Sequence, residues 1–249
     1  MAETPVVSAA HYVRYLCEQG MPRDRLTVPE AVIMAWGELA AAVARQTDAW
    51  RHRWVYDHDW PLYVVKDRSL GVIRQPTGAA PTAMLLELLV ACGAKAIFGL
   101  SIAGSLDPSL PAGNLVVPLG ALADDGTSSR YAGDKSGQYC PSSAGLSDKL
   151  RSSAAAAGAS TLAGIVWSTD VIFLERPAEI KRARERGAAV VDMETAALYS
   201  VARYLGAEAS SVLVVTDELT SDWRPGFHLP QVREAQQRAV TAVIHSARS

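Results

Sequence analysis

Two acidic clusters stand out because each follows an apolar run of strand length. Asp192, Met193 and Glu194 come after Ala188–Val191, and Thr216, Asp217 and Glu218 come after Val212–Val215. Carboxylates so placed can accept a ligand's hydrogen bonds, steady a developing positive charge or donate a proton. An aspartate of ordinary acidity, pKa about 3.9, is only about 0.1 % protonated at neutral pH. An acid role for any aspartate here therefore requires desolvation or a shared proton. Asp192 stands directly ahead of a helical stretch, so an N-cap role explains it as well as a binding one. The small residues Ser101 to Ser105 follow the apolar run ending at Leu100. They read as a third ligand-facing loop, because open α/β sheets bind ligands beyond the carboxyl ends of their strands.

The remaining polar residues narrow the chemistry. The five histidines show no metal-ligand spacing, and the three cysteines are odd in number and far apart. Neither a metal centre nor a disulfide framework is expected. Arg45, Arg51 and Arg53 with Trp50 and Trp54 could mimic a nucleic-acid surface. The formal charge of −2 argues against a phosphate-backbone partner. Hydrophobic residues at 49 % and charged ones at 20 % fit a folded core and exclude a disordered chain. Glu87, Lys95 and Asp107 interrupt the apolar stretches before any could span a bilayer. Met1–Pro5 lacks a basic or long apolar leader, so a cytoplasmic protein is expected.

Strand-length apolar runs alternate with helical patterns throughout. Ala31–Ala35 reads as a buried strand followed by a helix from Glu38 to Ala44. Leu62–Val65 and Leu70–Ile73 read as paired strands around a Lys66–Ser69 turn. Pro81 marks a helix start, Met84–Val90 its body and Gly93 its end. Ala96–Leu100, Leu115–Val117, Ala188–Val191 and Val212–Val215 read as further strands. A helix from about Met193 to Leu205 places Ala197, Val201, Tyr204 and Leu205 on one face and stops at Gly206. The stretch from Asp124 to Ser147 reads as a long surface loop. The expected class is α/β, one three-layer αβα domain over residues 1–249 with a central mixed, largely parallel sheet. Taking the last two strands as parallel puts Glu194 and Asp217 at the same end.

The segments Val190–Tyr199 (VVDMETAALY) and Ser211–Glu218 (SVLVVTDE) resemble the signature of the nucleoside phosphorylase family. That family includes purine nucleoside and uridine phosphorylases and related nucleosidases. Gly78–Pro81, Ala103–Leu106, Gly113–Pro118, Asp125–Ser128 and Trp167–Asp170 agree in order, so the likeness covers about residues 30–230. The resemblance implies cleavage of a nucleoside's N-glycosidic bond, purine type favoured, without metal or organic cofactor. Glu194 would hold the ribose hydroxyls and favour the sugar's cationic character. Asp217 would be the general acid toward the base. Met193 would face the sugar, Phe173 the base, and Trp223 and Arg224 would lie in a loop over the pocket. Asp192 and Ser101 would complete the substrate contacts. A homo-oligomer, dimer or trimer of dimers, is implied as well.

The departures from the family pattern bear on the second substrate, phosphate or water. The family's phosphate arginine corresponds to Gly99 and its phosphate hydroxyl to Ile102. The N-terminal Gly-Asp-Pro turn is replaced by Ala35-Trp36-Gly37. An isoleucine where a phosphate oxygen should be bound removes a donor and adds a desolvation penalty. Arg74 is a possible substitute charge. Glu38 lies near the place where nucleosidase relatives carry a water-activating carboxylate, although an ordinary exposed helix glutamate explains it better. A catalytically silent nucleoside-binding protein is the alternative of a different class.

Overall fold

The computed structural model describes residues 5–132, 138–220 and 222–249. Helices α1 to α4 span Ala9–Glu18, Glu38–Gln46, Ala79–Ala91 and Ser128–Ala132. Helices α5 to α8 span Ala144–Ala156, Pro177–Glu185, Thr195–Leu205 and Pro230–Arg248. Strands β1 to β4 are Ala31–Trp36, Trp50–His52, Leu62–Val64 and Leu70–Gln75. Strands β5 to β8 are Ala96–Ser105, Leu115–Val116, Gly120–Asp124 and Tyr139–Pro141. Strands β9 to β13 are Thr161–Leu162, Ile165–Thr169, Ala188–Asp192, Glu208–Leu219 and Trp223–Pro225. Among the described residues no helix is long and apolar enough to cross a membrane.

The sheet is mixed and largely parallel, in the order β2-β3-β4-β1-β5-β11-β10-β7-β8. Its spine is β5. One edge of β5 pairs in parallel with β1 over Ala96–Leu100 and then antiparallel with β11 at Gly104 and Ser105. The other edge pairs in parallel with β12 from Ala96 to Ser105. Apolar residues of α3 and α7 pack one face, together with Ile97 and Ala103 of β5. Helices α2, α5 and α8 pack the other face, against Phe98 and Leu100. Ala183 of α6 joins Trp167 and Val191 in a smaller cluster. This is the expected three-layer αβα arrangement.

Several boundaries differ from the sequence reading. The segment Ser101–Ser105 is the second half of β5, because β11 and β12 supply partners on both sides. Helix α3 begins at Ala79 with Gly78 as N-cap, so Pro81 is its third residue. Helix α7 begins at Thr195 and is buried over Thr195–Ala202, while Tyr204 is half-exposed. The expected loop 124–147 contains α4, β8 and the start of α5, with residues 133–137 outside the described set. Trp54 is fully buried with its indole N–H on the Trp60 carbonyl, which removes it from any basic-aromatic surface.

The main correction concerns direction. β11 runs antiparallel to β5 and β12 runs parallel to it, so the strands carrying the two acidic clusters run in opposite senses. Their carboxyl-terminal halves nevertheless meet on the last residues of β5. Val191, Gly104 and Asp217 form one row across the three strands. Overlap of strand ends, and not a parallel crossover, brings the clusters toward each other.

Candidate active site

The first cluster is built where two helices begin. Asp192 caps α7, accepting the backbone N–H groups of Glu194 (3.3 Å) and Thr195 (3.1 Å) and the Thr195 hydroxyl. It also accepts Ser168 Oγ at 2.6 Å, and the same Oγ accepts the Ala196 N–H at 2.9 Å. Both Asp192 oxygens are thus engaged by the protein, which is the capping role. Burial raises its pKa, and the Ser168, Thr195 and Glu194 donors oppose that rise.

Glu194 points to the other helix. Its Oε1 accepts the Gly78 N–H at 2.6 Å, at the N-terminus of α3. Gly78 has φ +97° and no side chain, so the chain turns there and leaves the amide open to a carboxylate. The α3 dipole favours charge on Glu194. Burial and the neighbouring Asp192 win, and its pKa is pushed up to about 8. A ligand bringing hydroxyl donors or positive charge would return this carboxyl to its anionic form. Met193 lies between the two acids and is partly exposed.

The second cluster forms at the far end of β12. An irregularity in register between Val215 and Asp217 re-aims the chain there. Asp217 Oδ1 accepts the Thr216 hydroxyl and Oδ2 the Trp223 indole N–H, each at 2.9 Å. Trp223 is held by β13, which folds back antiparallel on β12 and leaves the indole 63 % exposed. A Cβ on Gly104 would lie 3.4 Å from Asp217 Oδ2 and 3.3 Å from Val191 Cγ1, and would strike Leu219. The missing side chain is what leaves room beside Asp217.

The other sequence candidates separate. Ser101 is buried on β5 opposite Leu213, and its Oγ has no partner among the described residues. Arg224 is exposed and pairs across the ladder with Glu218, whose carboxylate instead accepts the Ala112 N–H at 3.2 Å. Phe173 is 98 % exposed on the short turn Ile172–Leu174, neither in the core nor enclosed in a pocket. Gly99 lies deep in the sheet, where a Cβ would come 2.7 Å from Ser211 Cβ and 3.0 Å from Leu198. An arginine at that position has no space.

A separate cleft of about 1150 Å³ is lined by Gly37, Glu38, Arg45, Trp60, Arg74 and Thr77, among others. Its lining contains neither Glu194 nor Asp217, but Thr77 directly precedes Gly78. Trp60 was not singled out from sequence, since an aromatic in a loop carries no local signal. Glu175 was missed for a similar reason. Burial and the neighbouring Asp217 push its carboxyl up to about 7, and only the fold brings the two together.

Comparison with known proteins gives the family and the fold. The family model described as the phosphorylase superfamily matches residues 29–245. A DeoD-type purine nucleoside phosphorylase of Caldanaerobacter subterraneus subsp. tengcongensis is 28 % identical over 137 residues, 54 % of this chain and 58 % of that one. One from Streptococcus pyogenes serotype M5 is 30 % identical over 135 residues, 53 % and 56 % of the two chains. The alignments thus span little more than half the length of these relatives. The solved purine nucleoside phosphorylase of Toxoplasma gondii, in complex with immucillin-H, superposes with a TM-score of 0.75. It is 19 % identical, covers 91 % of this chain and 92 % of its own, and shows the same fold.

Proposed function

The chain belongs to the phosphorylase superfamily, and from that premise we propose that it cleaves the N-glycosidic bond of a purine-type nucleoside. The reading rests on the buried Glu194 carboxyl, held by the Gly78 N–H at the start of α3. As the bond breaks, positive charge grows on the sugar and negative charge on the base. Glu194 meets the sugar's hydroxyls and its charge, with Met193 against the ring. Asp217 supplies a proton to the base, and Trp223 covers it from β13. Asp192 orients Glu194 through the α7 cap, and Ser101 offers a spare hydroxyl nearby on the spine strand. The chain acts as one domain over residues 1–249, in the cytoplasm and as an oligomer.

Water, or an acceptor other than phosphate, is the proposed nucleophile. Phosphate needs several donors, an arginine foremost. Position 99 is closed by Ser211 and Leu198, and position 102 is isoleucine. The phosphate-dependent reading draws on Arg74 and Arg45, which line the cleft beside Glu38. Base release measured in phosphate-free buffer and across a phosphate titration decides between them. We expect release that phosphate does not change. Saturable acceleration with ribose 1-phosphate as product would establish a phosphorylase. Tight nucleoside binding without base release would make the protein a silent binder.

A further inference from the structure

The geometry points to a substrate that carries an acidic group on its 5′ carbon, seated in the cleft of Arg74 and Gln75. The inference rests on the N-glycosidic reading above and narrows its substrate class. The cleft lies where β1 and β4 end. These strands are parallel, with Ala35 beside Arg74 and Trp36 beside Gln75, so both carboxyl ends open into it. Open α/β sheets hold ligands at such ends.

The order across the sheet places the cleft at the sugar's far end. Asp217 lies on β12, along one edge of β5, and β11 leads to Glu194 from the other edge. Glu194 then reaches Gly78, which follows β4 at the start of α3. The cleft lining includes Arg74, Gln75 and Thr77, the residue before Gly78. Four positions separate Arg74 from Gly78, at most about 14 Å of chain. A nucleoside with its base at Asp217 and its ribose hydroxyls on Glu194 therefore directs its 5′ carbon toward the cleft. The cleft measures about 1150 Å³ and includes neither of those carboxyls. Whole ligand sites commonly measure about 300–1,000 Å³, and a water occupies about 30 Å³. The space exceeds what a nucleophile needs.

Two side chains of this lining lack partners. Gln75 is 4 % exposed, and among the described residues no hydrogen bond engages its side-chain amide. A buried amide in that state gains by meeting a ligand. Gln75 follows Ile73 onto the face of the sheet packed by α3, the face on which Glu194 meets Gly78. Arg74 is exposed and has no ion pair among the described residues. A guanidinium beside an amide donor suits a phosphate or a carboxylate. Three acids also line the cleft. Asp48 follows the far end of α2, and Asp59 lies 3.6 Å from His58. Glu38 heads α2, is exposed and forms no ion pair with Arg74, so the guanidinium stays open to a ligand.

The test compares base release from adenosine and inosine with release from their 5′-monophosphates, in phosphate-free buffer. Wild type should favour the monophosphates by about tenfold or more in kcat/KM. Arg74→Ala should lose that preference while changing the nucleosides by about twofold or less, and Arg74→Lys should keep part of it. Gln75→Met, of similar volume, should weaken the monophosphates by about two- to tenfold. Equal rates on both substrate types, or equal losses on both in Arg74→Ala, would overturn the inference and leave N-glycosidic cleavage standing. Nucleoside cleavage accelerated by free phosphate, and no longer so in Arg74→Ala, would also overturn it, because the guanidinium would then serve the nucleophile. Titration calorimetry decides if nothing is cleaved. Monophosphates that bind about tenfold tighter than nucleosides, an advantage lost in Arg74→Ala, would keep the cleft assignment and remove the cleavage reading. Equal binding of the two would overturn the assignment.

Discussion

Glu194 shows two opposing effects acting on one carboxyl. The Gly78 amide and the α3 dipole favour its charge, while burial and Asp192 oppose it, and the opposition dominates. The folded-state pKa of about 8 lies above the ordinary 4.5. Between those values the unfolded chain binds fewer protons than the folded one, so stability falls as pH rises. Full stability is present below about 4.5 and is lost progressively as pH approaches about 8. Glu194→Gln removes the ionisation. The variant should gain on wild type in thermal melts, from almost nothing near pH 4.5 to on the order of a few kcal/mol near pH 8. Its turnover should fall at least about 100-fold. A melting difference that does not change with pH would show that Glu194 stays charged in the folded protein. The two acidic clusters were legible because each follows an apolar run. The cap role of Asp192 was legible as an alternative, from its place ahead of a helix. Phe173 lies on an outward-facing turn that its neighbours Ile172 and Leu174 do not announce in the sequence.

At the level of elements, β5 decides the site. Its first half separates β1 from β12, and its second half separates β11 from β12. Helices and most strands could be read from periodicity, Gly93 and Gly206. The direction of β11 could not. It depends on pairing with Gly104 and Ser105, more than eighty residues earlier in the chain. For the same reason Ser101–Ser105 looked like a loop: small residues form a strand here only because partners flank them. Two glycines of this strand should behave differently. A methyl at Gly99 meets Ser211 Cβ at 2.7 Å and Leu198 at 3.0 Å inside the core. Gly99→Ala should cost about 1–3 kcal/mol of stability in denaturant unfolding. A methyl at Gly104 pushes on the movable end of Leu219 and into the space beside Asp217. Gly104→Ala should unfold within about 1.5 kcal/mol of wild type yet lose most of its base release. The reverse ranking would place the reacting groups away from the Gly104 row.

At the scale of the whole molecule, the surface next to Asp217 is unusually apolar. Val171, Ile172, Phe173 and Leu174 are consecutive, each about half exposed or more, and Phe173 is almost wholly in water. Glu175, whose carboxyl feels the charge of Asp217, follows directly. Trp223 and Phe227 are also exposed on the segment just beyond β12. A contiguous run of large apolar side chains in water is uncommon on a monomer and marks a surface for a partner, a membrane or a ligand. Burying one phenylalanine contributes about 1.5–3 kcal/mol, so a twofold contact that buries Phe173 on both sides gains about 3–6 kcal/mol from that residue toward the cost of association. The occupant we expect is a second copy of this chain, since closed symmetry lets one patch serve both partners. Light scattering at micromolar concentration should give a mass at least twice the 26.6 kDa of one chain. Phe173→Asp should shift the protein toward that single-chain mass without changing its far-ultraviolet dichroism, and activity should fall with the assembly. A wild-type protein that is fully active at 26.6 kDa would show that the run meets solvent or substrate instead.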